Sequence, residues 1–264
     1  MSVKQLWRIG AAGFSYGLFA IGAILPAALS LILFTVPCSQ YQRQTITRAF
    51  IRLMCLSYVH FMQLVWLYRY RVHRRNVTDI RGHLIIANHP MLIDALFAMA
   101  YVRDVCCIVK PALAANPFTR LTIKAAGFKL ANDDNLLQSA CEALARGENL
   151  LIFPEGTRNE YDDQLAFKRG AANIAVMAQC PILPIVFYCS PRMLQKGEKW
   201  WQLPEQPAQI DIVIEPSLKV PECVDASLPR TRQYRLLTEF LIEYYRSRLA
   251  DPVCEIAQYH RPKA

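Results

Sequence analysis

The chain is expected to adopt an α/β fold, a largely parallel sheet with flanking helices, preceded by an N-terminal membrane-anchoring helical hairpin. Three observations carry that expectation. No charged residue stands between Arg8 and Arg43, so the first part of the chain is suited to lipid. After Arg69 short apolar runs of strand type alternate with helical patterns, as parallel sheets require. Polar clusters follow directly from two of those runs, where such sheets place their functional loops.

The apolar part of the first segment, Ile9 to Val36, would measure about 42 Å as a straight helix, against a hydrocarbon core of about 30 Å. It is too long for a signal-peptide core. A second uncharged run, Leu53 to Tyr68, would span only about 24 Å, short of a crossing. Lys4 and Arg8 precede the first run, whereas Arg43, Arg48, Arg52, Arg69, Arg71, Arg74 and Arg75 lie around and beyond the second. Both ends therefore prefer the same side of a membrane. A bent hairpin entering one leaflet satisfies both, with Pro26 and Gly10, Gly13, Gly17 and Gly22 loosening its first arm. A single span with its N-terminus outside is the competing arrangement. Residues 1–68 are thus assigned to the anchor and 69–264 to the globular domain.

Within the globular part, Tyr68 to His73 alternates like an entering strand and Leu84 to Ala87 is a buried strand. Val105 to Val109 is a third. Asn116-Pro117 opens a helix to about Ala126 that reads as an ordinary core helix. Leu136 to Arg146 is an amphipathic helix stopped by Gly147, and it leads into the strand Leu150 to Phe153. Ala171 to Ala178 is helix and Ile182 to Tyr188 is strand. Lys196 to Trp201 is a basic, aromatic loop that suits either a membrane surface or solvent. Gln209 to Glu215, ending at Pro216, reads as an edge strand. Thr231 to Leu249 is a helix with Leu236, Leu237, Phe240, Leu241, Tyr244 and Tyr245 on its packing face.

The bulk properties narrow the function classes. The chain is 53% hydrophobic with a formal charge of +9, and its mean hydropathy is +0.15. Basic charge suits nucleic acid or anionic lipid; the apolar excess favours lipid. No zinc-type cysteine pair or RNA-binding aromatic signature is present. Nine scattered cysteines read as reduced thiols, and no ligand cluster calls for a metal.

Two stretches carry chemistry. In the first, Asn88-His89-Pro90 breaks a strand before a helical pattern that starts at Met91. His89 and Asp94 are five positions apart, about 140° on differing helix faces, so they meet only if His89 lies off the helix. Pro90 favours that by fitting a first helical turn. Asp94 would then hold the imidazole by Nδ1 and leave Nε2 as a base, with the nucleophilic hydroxyl supplied by the substrate. In the second, Pro154-Glu155-Gly156-Thr157-Arg158 is a turn offering backbone amides and a guanidinium, and Lys168 follows within Phe167-Lys168-Arg169-Gly170. Such a turn can hold a phosphate.

With these residues in view, NHPMLID, FPEGTRN with FKRGA, and CPILPIVF resemble three ordered blocks of the lysophosphatidic acid acyltransferase family, over about Arg69 to Pro216. The resemblance implies His89 as base, Asp94 as its orienting partner, and Glu155, Gly156, Thr157 and Arg158 as acceptor site, assisted by Lys168. It implies transfer of a fatty acyl chain from an acyl thioester to the hydroxyl of a lysophospholipid such as 1-acylglycerol-3-phosphate. The co-substrate is acyl-CoA or acyl-ACP (acyl carrier protein), with no further cofactor. The enzyme would sit on the cytoplasmic face of an inner membrane. One block departs. Gly127 to Asp134 places Asp133 and Asp134 where the family usually has an arginine for phosphate. The same chemistry on an acylated amino acid or specialised lipid is therefore the alternative, with a non-catalytic lipid-binding protein as a third reading.

Overall fold

The computed structural model describes residues 3–74, 80–156, 165–195 and 197–250. The chain opens with α1 (Val3–Gly22) and α2 (Ile24–Thr35), which together form an apolar stretch of 33 residues long enough to cross a membrane. The break at Ala23 has a local cause. Pro26 brings no N–H to bond the carbonyl of Gly22 four residues back, so the helix gives way just ahead of it. After Pro37 and Cys38 the chain reverses into α3 (Gln40–Leu64), where Ser39 and Gln42 form a reciprocal capping box.

The two arms of this hairpin meet different surroundings. Leu6, Trp7, Phe14, Phe19, Ile21 and Leu31 of the first arm are exposed, which makes it the candidate membrane anchor. By contrast, α3 buries a stripe through Gln44, Arg48, Ile51, Cys55, Val59 and Met62. Arg48 Nη2 meets Glu148 Oε2 at 2.7 Å, its Nη1 meets Asp104 Oδ1 at 3.2 Å, and its Nε donates to the Ala126 carbonyl at 2.7 Å.

The remainder alternates strand and helix: β1 (Tyr68–Arg74), β2 (Leu84–Ala87), α4 (Asp94–Tyr101), β3 (Val105–Val109), α5 (Pro111–Ala115), α6 (Pro117–Ala126) and β4 (Lys129–Leu130). There follow α7 (Leu136–Ala145), β5 (Asn149–Ile152), α8 (Gly170–Ala178), β6 (Ile182–Ser190), β7 (Ala208–Ile214), α9 (Val220–Cys223) and α10 (Arg230–Ala250). The sheet has seven strands in the order β1-β7-β6-β2-β5-β3-β4, and β6 with β7 is the antiparallel pair. Beside β2, β5 and β6 lie parallel, so the loops leaving β2 and β5 emerge side by side.

Successive residues of a strand face opposite sides, and β2 divides accordingly. Leu84 and Ile86 enter a core with α7, α8 and α10, while Ile85 and Ala87 enter one with α3 and α4. Burial of both faces explains why the strand is a continuous apolar run rather than an alternating one. Gly127 ends α6 at φ 67°, and a Cβ there would collide with Gln44 of α3.

Three expectations are corrected. The stretch from Gln209 is an interior strand, because β1 pairs with β7 along its full length and itself forms the edge. The buried face of α10 runs through Gln233, Leu237, Thr238, Leu241 and Tyr245, turned away from Phe240, which is exposed. Residues 91–93 are turn, so the helix begins at Asp94 rather than Met91, and Pro90 lies in a loop instead of a first helical turn.

Candidate active site

His89 stands in the loop leaving β2, and three contacts fix that loop. The Asn88 side chain donates to the Phe187 carbonyl at 2.9 Å and accepts from the Phe187 N–H at 2.8 Å, locking the loop to β6. Its neighbour's backbone N–H donates to Glu155 Oε1 at 2.9 Å, joining the loop after β2 to the loop after β5. Behind them, the Tyr245 hydroxyl of α10 donates to the Ile86 carbonyl at 2.6 Å.

Asp94 is the first residue of α4, and its carboxylate explains the late helix start. Oδ2 accepts the Met91 N–H at 2.8 Å, stabilising the turn ahead of the helix. The same oxygen faces His89 Nδ1 at 2.9 Å. A carboxylate oxygen accepts, so Nδ1 carries a proton, and in the neutral ring the lone pair is then on Nε2. Asp94 is fully buried, and the His89 side chain is 18% exposed. Phe153 stacks on the imidazole with ring centres 4.3 Å apart and planes 27° apart. The ring is thus held on one edge and one face.

Glu155 is buried, and its Oε2 has no partner among the described residues. Burial pushes its carboxyl up to about 7, the His89 N–H opposes that shift, and the nearby Asp94 charge adds to it. Gly156 turns at φ 73°, and a Cβ built there would fall 2.8 Å from Lys168 Nζ. Lys168 is held at this turn by its backbone N–H, which donates to the Pro154 carbonyl at 2.8 Å. The structure therefore brings together His89, Asp94, Glu155, Gly156 and Lys168. Thr157 and Arg158 lie outside the described residues. Asp133, where an arginine was expected, accepts the Asn135 N–H ahead of α7 at 2.9 Å.

Cys189 lies near enough to Asp94 to feel its charge, yet burial is the main cause that pushes its thiol up to about 12. It stays protonated near neutrality and makes a poor nucleophile.

Comparison with known proteins fits this geometry. The Acyltransferase family model matches residues 69–188. Those residues are similar to that family. The 1-acyl-sn-glycerol-3-phosphate acyltransferase of Helicobacter pylori is 34% identical over 116 residues, 41% of this chain and 49% of its own. The human 1-acyl-sn-glycerol-3-phosphate acyltransferase alpha is 31% identical over 179 residues, 61% of each chain. The chain spans about half the length of the curated relatives it matches. The solved 1-acyl-sn-glycerophosphate acyltransferase of Thermotoga maritima aligns over 93% of this chain and 99% of that one, with a TM-score of 0.69 and 19% identity. At that identity the likeness establishes the fold: a mostly parallel α/β sheet with flanking helices. His89, Asp94, Glu155, Gly156 and Lys168 all fall within the matched residues.

Sequence reasoning missed Phe153 and Asn88. Phe153 ends the strand reading itself, and its stacking on His89 depends on the pairing of β2 with β5, which no local pattern encodes. Asn88 adjoins the histidine, and a buried asparagine at the end of an apolar strand is a signal that its amide has a partner.

Proposed function

We propose that the chain transfers a fatty acyl group from an acyl thioester to the hydroxyl of 1-acylglycerol-3-phosphate. The observation that carries the reading is the His89 imidazole, held by Asp94 through Nδ1 while its side chain keeps 18% of its surface exposed. In the reaction Nε2 takes the hydroxyl proton as the oxygen attacks the thioester carbonyl. The carbon–sulfur bond breaks, and the leaving thiolate recovers a proton from the imidazolium. The acyl chain passes directly between substrates, consistent with a protonated, half-buried Cys189. The Glu155-Gly156 turn and the Lys168 ammonium support binding of the acceptor's phosphate, with Thr157 and Arg158 assigned to the same site. No cofactor takes part beyond the thioester, either acyl-CoA or acyl carrier protein, and the charge of +9 suits both acidic donors.

The apolar α1–α2 arm supports a membrane location, and the arginines following it favour a catalytic domain on the cytoplasmic face of an inner membrane. A second acceptor class, a hydroxyl lipid without phosphate, draws on Asp133 and Asp134, which stand where the phosphate-binding arginine was expected. The two are separated by presenting one labelled long-chain thioester to the detergent-solubilised chain with lysophosphatidic acid, a monoacylglycerol or an acylated amino acid. Preference for lysophosphatidic acid is the expected result. Transfer to the phosphate-free acceptors alone would overturn the phosphate assignment and keep the transfer chemistry.

A further inference from the structure

A cleft of about 350 Å³ opens at the edge of the sheet, lined by Gln63, Trp66, Arg69, Tyr70, Arg71 and Gln209 among others. Because β1 runs parallel to β7 and β7 antiparallel to β6, β1 points against β2. The start of β1 therefore lies at the end of the sheet from which the His89 loop leaves. Gln209 pairs with Ser190, the last residue of β6, at this same end.

Its chemistry is that of an anion site. Arg69 and Arg71 are exposed and form no ion pair among the described residues. Arg69 lies over the Trp66 ring with its guanidinium carbon 5.4 Å from the ring centre. Gln209 keeps its side-chain amide nitrogen out of solvent without a partner among the described residues. No acidic residue lines the cleft among the described residues. Two guanidinium groups and an amide donor match the oxygens of a phosphate.

The surroundings identify where that phosphate comes from. Trp66 takes φ 65° at the end of α3, where its N–H bonds the Gln63 carbonyl and the Leu67 N–H bonds the Met62 carbonyl. That is a left-handed helix terminus normally given to glycine, and a bulky residue there is costly. The cost leaves the indole 60% exposed at the mouth of the cleft. The chain's other tryptophans, Trp7, Trp200 and Trp201, are exposed as well. Arg8 gathers them, because its guanidinium donates to the carbonyls of Leu67, Pro204 and Glu205, and Trp200 packs against Tyr16 of α1. Tryptophans grouped beside an apolar helix are the signature of a membrane–water interface.

We infer that this cleft binds the phosphate of an anionic phospholipid of the surrounding membrane, apart from the acceptor site at Glu155–Gly156. Bound lipid would seat the catalytic end of the sheet at headgroup level. The inference does not depend on turnover.

The test is a binding titration of the full chain in neutral detergent. Phosphatidylglycerol, neither substrate nor product of the proposed reaction, is compared with phosphatidylcholine of the same chains, inorganic phosphate and coenzyme A. A cation near an anionic lipid surface is worth about fivefold in affinity, so the Arg69→Gln/Arg71→Gln pair is expected to weaken phosphatidylglycerol binding about 30-fold. Arg235→Gln, on the exposed side of α10, is expected to leave it unchanged, with both variants melting like the parent. Equal phosphatidylglycerol affinity in the double variant, or an equal loss in Arg235→Gln, would overturn the site. Binding of inorganic phosphate in place of lipid would make it a free-anion site, and displacement by coenzyme A would assign it to the acyl donor. Either result would overturn the lipid assignment.

Discussion

Among the described residues two histidine–aspartate pairs have nearly equal geometry. His89 Nδ1 lies 2.9 Å from Asp94, and His73 Nε2 lies 2.8 Å from Asp211. Their settings differ. His73 is inside β1, with its side chain 5% exposed, and the pair ties β1 to β7. It is the penultimate residue of a strand that runs against β2, so it falls toward the end of the sheet remote from His89. His89 stands in a loop past a strand end, with one nitrogen held and 18% of its side chain exposed. On the proposed mechanism, where the fold puts such a pair decides whether it serves catalysis, and the contact distance does not distinguish the two.

That contrast can be tested by breaking each pair. His89→Ala is expected to lower turnover about 100- to 10,000-fold, the usual contribution of a positioned general base. Asp94→Asn is expected to lower it by a smaller factor, read from the same transfer assay, because the ring remains but its tautomer is no longer enforced. His73→Ala should act on stability instead. The loss is about 1–3 kcal/mol by chemical denaturation, as for a buried hydrogen bond to a charged group, with turnover per folded molecule close to the parent's.

Glu155 sharpens the comparison from the catalytic side. Its carboxyl takes up a proton near 7 in the folded chain, against an ordinary value of 4.5. Between those values the folded state holds the extra proton, so stability falls as pH rises through this window, by on the order of 3 kcal/mol in total. Glu155→Gln keeps an acceptor for the His89 N–H and should flatten that dependence. Unfolding of parent and variant across the window checks it. The smallest effect is expected at Cys189. Its replacement by Ala should leave transfer within about twofold, as for a residue making no contact in the transition state.

Much of this site was legible because its parts are local. An apolar run ending in Asn-His-Pro places His89 at a strand end, and Asp94 lies within reach in sequence. What stayed hidden was set by contacts across the chain. The helix start moved to Asp94 because the carboxylate that orients His89 also holds the Met91 N–H. The strand from Gln209 resembles an edge in its own sequence, yet β1, about 140 residues earlier, covers it. The α10 face shifted because Tyr245 reaches the Ile86 carbonyl, a partner 159 positions away.

The central claim is that His89, and not His73, serves the chemistry. The direct measurement is transfer of a labelled long-chain acyl group from its thioester to lysophosphatidic acid, with the parent, His89→Ala and His73→Ala compared per folded molecule. Near-complete loss in His89→Ala alone is the expected result. Equal turnover in all three would contradict it.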